Sequence, residues 1–451
     1  MNDTPSSPAG TDTPGAAPAP LGAPKALALG LQHMFAMFGA TVLVPLITGL
    51  DIGTALFCAG AGTLLFHLAT GGRVPAFLGS SFAFLGGYAA VAPKLAGADG
   101  TPVPNAEMLP YACFGVACAG LVYLVLAALI KAFGVKRVMR CFPPIVTGPI
   151  IVSIGLILAP TAVASCKGDW LLALVALGTI AVCGIWGRGM VKILPILIGL
   201  AVSYAVACCL GKVDFSAIAS AGWLAWPVHR EATVLAVDFS RRAEVWNAVI
   251  AIVPIALATI MEHIGDISAI SSTVGKDFIK DPGLHRTLAG DGLATTLASV
   301  FGGPANTTYG ENTGVLALTR VFDPVVIRIA AVFAILLSFC PKFAAVVSTI
   351  PGPVVGGVSF VLYGMISAVG IRNLVENRID FAKSRNLVIA AVVLVTAIGG
   401  ASVPLGSKGA VLTPLALASL AGIVLNAIFP AGDYATRAAD DEPPKGNTFE
   451  V

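Results

Sequence analysis

The chain reads as an all-α polytopic membrane protein whose fourteen transmembrane segments form a seven-plus-seven inverted repeat. Three observations lead there. Of 451 residues, 57% are hydrophobic and only 11% charged, with a mean hydropathy of +0.89; a soluble chain carries about 25% charged residues. Apolar runs recur along the whole chain at close to the ~20 residues a helix needs to cross the hydrocarbon. Two segments interrupted by Gly and Pro occupy matching places in the two halves, the sequence pointer to a site at the membrane midplane.

In chain order the candidate spans cover 27–47, 53–70, 76–93, 109–131, 143–163, 170–186, 191–210, 246–266, 286–301, 306–319, 325–347, 351–370, 386–402 and 410–429. Alternate loops then differ in charge. The side carrying Arg73, Lys136, Arg188, Lys280, Arg320 and Arg372 holds sixteen Lys and Arg against eight on the other, half of those eight in the long 211–245 loop. The basic side is expected to be cytoplasmic, which puts both termini inside. The bias also supports an even span count, because a missed span would scramble the alternation. The third span begins PAFLGSSFAFLGG (75–87) and the tenth reads GGPANTTYGENTG (302–314); both are poor helices on their own. Asp281-Pro282 reads as a helix start, an N-cap acid followed by Pro in the first turn.

The tails differ in kind. Residues 1–20 are rich in Pro, Ala, Gly, Ser and Thr, and 431–451 ends DDEPPKGNTFE, so both are expected to be disordered. The first apolar segment begins at Leu27 without a small-residue cleavage site, so no cleaved signal peptide is expected. The nine cysteines form no CxxC pair and read as buried thiols.

Chemistry concentrates at two places. Glu311 lies among Gly310, Asn312 and Gly314, and Glu262-His263-Ile264-Gly265-Asp266 closes another long apolar span. A carboxylate at bilayer depth costs a few kcal/mol, roughly 2.5–3.5 on insertion scales, so such residues face a cavity, a partner or a substrate. Irregular backbone at that depth is tolerated only when it is buried in protein or lines a cavity. Together they indicate a polar small-molecule site in a transporter. No HExxH, P-loop, GxSxG or metal-spaced Cys/His set is present and the five histidines are scattered, so no enzyme, cofactor, metal site or nucleic-acid partner is expected.

At these residues the sequence closely resembles the nucleobase–ascorbate transporter family, in particular its bacterial uracil permease branch. The resemblance runs through QHMFAMFGATVLVP (32–45), GSSFAF (79–84), MEHIGD (261–266), DPGLHR (281–286), NTTYGENTGV (306–315) and LYGMI (362–366). Glu311-Asn312-Thr313-Gly314 followed by Thr319-Arg320 fits the family signature. The resemblance implies a core domain of spans 1–4 and 8–11 (25–134 and 246–348) and a gate domain of spans 5–7 and 12–14 (135–245 and 349–430). Cytoplasmic tails would cover 1–24 and 431–451. It further implies short antiparallel strands where the third and tenth spans break, and an elevator-like motion of core against gate. A homodimer in the lipid of the bacterial inner membrane is implied too.

Uracil presents two N–H donors and two C=O acceptors on its edge. An acceptor-only carboxylate suits the first and backbone amides freed by broken helices suit the second. Carried over position by position, Glu262 and Glu311 would contact the base, Phe82 and Gly310 would offer backbone amides, and Tyr309 and Tyr363 would line the pocket. Ordinary core packing is the competing role for the three aromatic residues. Asn306, Thr307, Thr308 and Asn312 are expected to satisfy freed backbone groups around the break. His263 points away from Glu262's face and reads as an interhelix packing residue, and Gln32 and His33 as interhelix supports.

Asp266 departs from the closest branch, whose uracil members often have His there. It falls four residues after Glu262, within side-chain reach on the same face. Two neighbouring carboxylates in a dry site cannot both ionise cheaply, so one is expected to hold a proton. This serves H+ symport; Na+ coupling is the alternative, and a helix cap before Ser268 is the structural one. Purine transport (xanthine or uric acid) is the rival within the family. Glu rather than Gln at 311 favours uracil, because a carboxylate cannot donate to purine acceptors. Anion carriers share the seven-plus-seven layout, but two acids at the core have the wrong sign for an anion.

Overall fold

The computed structural model describes residues 22–97, 102–140, 142–405 and 410–430. The tails expected over 1–24 and 431–451 lie outside the described residues, apart from Gly22 and the start of the first helix at Ala23, as do Cys141 and Lys408. The eight described cysteines are free thiols.

The chain is a mostly helical membrane protein. It opens with α1 (Ala23–Thr48) and α2 (Ile52–Ala69). Gly49 ends α1 in the left-handed conformation (φ 88°), where a side chain would be strained, and Asp51 caps α2 by accepting from the Thr54 amide at 2.6 Å. Next come β1 (Leu78–Ser80), α3 (Leu85–Val91), β2 (Leu95–Ala96), β3 (Pro102–Val103), α4 (Leu109–Phe133) and α5 (Val135–Met139). Then follow α6 (Pro144–Cys166), α7 (Trp170–Trp186), α8 (Met190–Ile193), α9 (Pro195–Cys209) and α10 (Ser216–Ser220). The second half contains α11 (Arg242–Ile252), α12 (Ala256–Val274), α13 (Leu284–Val300), β4 (Asn306–Thr308), α14 (Gly310–Thr319), α15 (Pro324–Ser338) and α16 (Pro341–Ser348). It closes with α17 (Gly352–Glu376), α18 (Ser384–Ile398), β5 (Val403–Leu405), β6 (Ala410–Leu412) and α19 (Pro414–Ile428).

Six described helices are long and apolar enough to cross a membrane: α1, α2, α4, α6, the run Arg242–Val274 and α17. Four more, α7, α9, α18 and α19, are apolar but shorter. The continuous span expected over 325–347 is instead bent by 86° between α15 and α16. Pro341 explains the bend: it has no N–H to continue the helix and pushes Cys340 (φ −104°, ψ 90°) out of the helical region. The helix start expected at Asp281-Pro282 is also displaced. α13 begins at Leu284 after Gly283 at φ 98°, and Asp281 pairs with Arg73 instead.

Each segment read as a poor helix breaks into a short strand followed by a short helix, and the two strands meet. β1 and β4 are antiparallel, with Leu78 opposite Thr308, Gly79 opposite Thr307 and Ser80 opposite Asn306. Two strands of three residues leave backbone groups unpaired, and neighbouring helices supply partners. Thr63 on α2 accepts from the Leu78 amide at 2.9 Å and donates to its carbonyl at 3.1 Å. Thr295 on α13 donates to the Asn306 carbonyl at 2.8 Å, and the Asn306 amide group donates to Cys58 O at 3.0 Å.

Helices pack in two groups. α13 lies along α2 and α4, and α15 along α1 and α2; α17 lies along α6, α7 and α9, and α18 along α6 and α19. The groups touch where α12 meets α6 and α19, and where α1 meets α9. Two connections between the groups are laced together at one end. The 211–241 connection starts at Lys212, paired with Asp169 at the head of α7. It then fastens to the other group: Trp226 meets Phe339 edge-on (5.4 Å) and lies tilted against Phe57 (6.2 Å), and Lys342 lies 4.7 Å from the Trp223 ring. α16 is the second connection. Its Phe343 packs edge-on against Phe38 of α1 at 5.2 Å, while Thr349 just beyond it bonds Tyr204 of α9 at 2.7 Å.

Candidate functional site

α12 and α14 carry the acids. Glu262 and Asp266 fall one turn apart on α12, Glu311 lies in the first turn of α14, and all three are half-buried. The carboxylates of Asp266, Glu311 and Asp291 lie within electrostatic reach of Glu262, and those of Glu311 and Asp291 within reach of Asp266. Oε2 of Glu262 is buried with no hydrogen-bond partner among the described residues. Such an atom strongly favours an N–H or O–H donor, since leaving a buried acceptor unpaired costs about 1–3 kcal/mol.

Gly310 is the first residue of α14, so its N–H is among the four at the helix start that lack an intrahelical acceptor. It is exposed, with open space where a side chain would stand. Phe82 sits in the bend after β1, and its amide takes no backbone acceptor among the described residues. Its ring meets Tyr363 of α17 edge-on, centroids 6.2 Å apart at 73°. That contact joins the two helix groups. Beside it a narrow cleft lies between α3, α6, the turn before α12 and the start of α19, lined by Ala83, Gly86, Ile154, Leu158, Ile255 and Pro414.

Tyr309 packs against the strand pair. Its hydroxyl donates to the Ser80 carbonyl at 2.9 Å and its ring covers Gly79, so the buried side chain braces β1 against β4. Asp266 is not a helix cap, because α12 continues for eight residues beyond it, to Val274. Its Oδ2 accepts from the Thr308 hydroxyl at 2.7 Å. Thr308 therefore serves a side chain, where a freed backbone group was expected. Asn312 and His33 do support the break: the Asn312 amide group reaches His33 Nδ1 and His33 O, both at 3.1 Å.

Asp291 on α13 was missed from sequence. It is fully buried and faces His263 across 2.9 Å, behind the face that carries Glu262. The signal was available, since Asp291 is an acid inside an apolar run just as Glu262 is. Arg372 on α17, within electrostatic reach of Asp266 and paired with Glu376 at 3.3 Å, gave no such signal; it looked like one of many cytoplasmic cations.

Known proteins can be compared with this arrangement. A model described as Permease family matches residues 24–406. The chain is 44% identical over 425 residues to the uracil permease of Bacillus caldolyticus, covering 92% of this chain and 94% of that protein. It is 42% identical over 417 residues to the uracil permease of Bacillus subtilis strain 168, covering 90% and 92%. Among solved structures, the transmembrane domain of the cyanobacterial bicarbonate transporter BicA superposes with a TM-score of 0.62 over 89% of this chain and 96% of that one. At 15% identity that likeness concerns the fold alone.

Proposed function

The chain belongs to the nucleobase–ascorbate transporter family, and from this we propose that it takes up uracil across the bacterial inner membrane by proton symport. It is a transporter and not an enzyme. The observation that carries uracil is the buried Oε2 of Glu262 without a protein donor, close to a second carboxylate at Glu311. Two acceptor-only groups fit the two ring N–H donors of uracil, and the Gly310 and Phe82 amides fit its carbonyls. Phe82 and Tyr363 would cover the ring, with Tyr309 acting behind them as a brace.

Proton coupling rests on Glu262 and Asp266, which sit too close in a dry site for both to ionise cheaply. Fourteen segments would form two inverted repeats, with 25–134 and 246–348 moving as a core against a gate of 135–245 and 349–430. The edge-on contact of Phe82 with Tyr363 would lie on the sliding surface. The sixteen-to-eight charge bias supports cytoplasmic termini, and the family resemblance supports a homodimer.

Uptake of radiolabelled uracil into cells or proteoliposomes tests the reading, with xanthine, thymine and cytosine as competitors. Uracil should accumulate, collapse with a protonophore and persist when choline replaces Na+. Accumulation that requires Na+ at constant pH would replace the proton by Na+, and preferential uptake of xanthine would move the chain to the purine branch.

A further inference from the structure

Thr308 is the last residue of β4 and is 2% exposed. Its backbone is fixed by pairing with Leu78, and a β-branched side chain has few χ1 choices. From this rigid base its hydroxyl donates to Oδ2 of Asp266 at 2.7 Å. The charged groups facing Asp266 are Glu262 on its own helix, Glu311 on α14, Asp291 on α13 and Arg372 on α17. None of them is hydrogen-bonded to it among the described residues; only the Thr308 hydroxyl is.

A hydroxyl donor needs a lone pair on the oxygen it meets. An ionised carboxylate offers one on either oxygen, whereas a protonated carboxyl offers its best one on the carbonyl oxygen. We propose that Thr308 is a positioning residue for proton coupling: it keeps Oδ2 of Asp266 as the acceptor in both charge states, so that the transported proton is carried on Oδ1. The strand pair then fixes which oxygen loads and unloads. This deepens the proton-symport reading and rests on it.

Thr308→Val keeps the shape of the side chain and removes the donor, while Thr308→Ser keeps the donor and removes a methyl group. In proteoliposomes, uracil binding at fixed pH should stay within about threefold of wild type in both variants. The pH midpoint of gradient-driven uptake should move towards alkaline pH by about one unit in Thr308→Val, a tenfold change in proton affinity, because the carboxylate loses a stabilising donor. Thr308→Ser should keep the wild-type midpoint.

The infrared band of the protonated Asp266 carboxyl, assigned with Asp266→Asn, follows the same hydrogen bond without transport. Its midpoint should shift in Thr308→Val alone. An unshifted band in Thr308→Val, or an equal shift in Thr308→Ser, overturns the inference. Failure of the wild type to accumulate uracil under a pH gradient, with the band still shifting, would sink proton symport, and with it the coupling role, and leave only Thr308's hold on the Asp266 carboxyl.

Discussion

Replacing Glu311 by Gln exchanges one carboxylate oxygen for an NH₂ group and leaves the shape of α14's first turn unchanged. The new group would present a donor to the ring N–H that Glu311 is proposed to accept. Uracil affinity should fall by about 1.5–3 kcal/mol, roughly ten- to a hundredfold, while the thermal melt of the purified protein stays put. Wild-type affinity in a binding titration would show that Glu311 does not touch the base. Single residues were legible in sequence where an acid interrupts an apolar run, as Glu262, Asp266 and Glu311 do. Partners were not. The distance from His263 to Asp291 or from Asp266 to Thr308 depends on how α12, α13 and β4 pack, and 28 or 42 residues of chain separate the members of each pair. Tyr309 shows the same limit: the family resemblance implied a pocket-lining role, but its packing over Gly79 could not be read from sequence.

Elements were readable where composition breaks the helical pattern. Gly, Ser, Thr and Asn at 79–87 and 302–314 announced that no continuous helix would run through there. The strand register was invisible, because it is set by side chains on α2 and α13 that receive the strand edges. Gly79 is a tight point of that assembly. A methyl group added there would stand 2.5 Å from the Tyr309 ring and 2.7 Å from the Thr41 hydroxyl, so strand or ring must move. Gly79→Ala should destabilise by about 1–3 kcal/mol, seen as a lower melting temperature and lost uptake. Gly178→Ala, on α7 where nothing lies within 4 Å, should instead stabilise its helix by about 0.5–1 kcal/mol. A Gly79→Ala protein that melts and transports like wild type would mean that β1 and β4 do not hold the site in shape.

At the scale of the whole molecule, composition and loop charge were sufficient for a membrane protein. They could not say which helices travel together, since α6 and α17 are neighbours in space and far apart in sequence. The laced connections carry a mechanical consequence. Phe343 is held to α1 of one group by Phe38, and Thr349 to α9 of the other by Tyr204; six residue steps separate them. As helix these steps span about 9 Å, and fully extended about 20 Å. The segment is thus a leash with roughly 11 Å of slack. Spin labels on α2 and α7 should report displacements below that length between the two transport states, and a larger one would require Phe343 or Thr349 to let go. Inserting three residues after Ser348 should lengthen the permitted stroke without touching the acids, whereas a crosslink between Phe343 and Thr349 positions should leave uracil bound to a carrier that cannot travel.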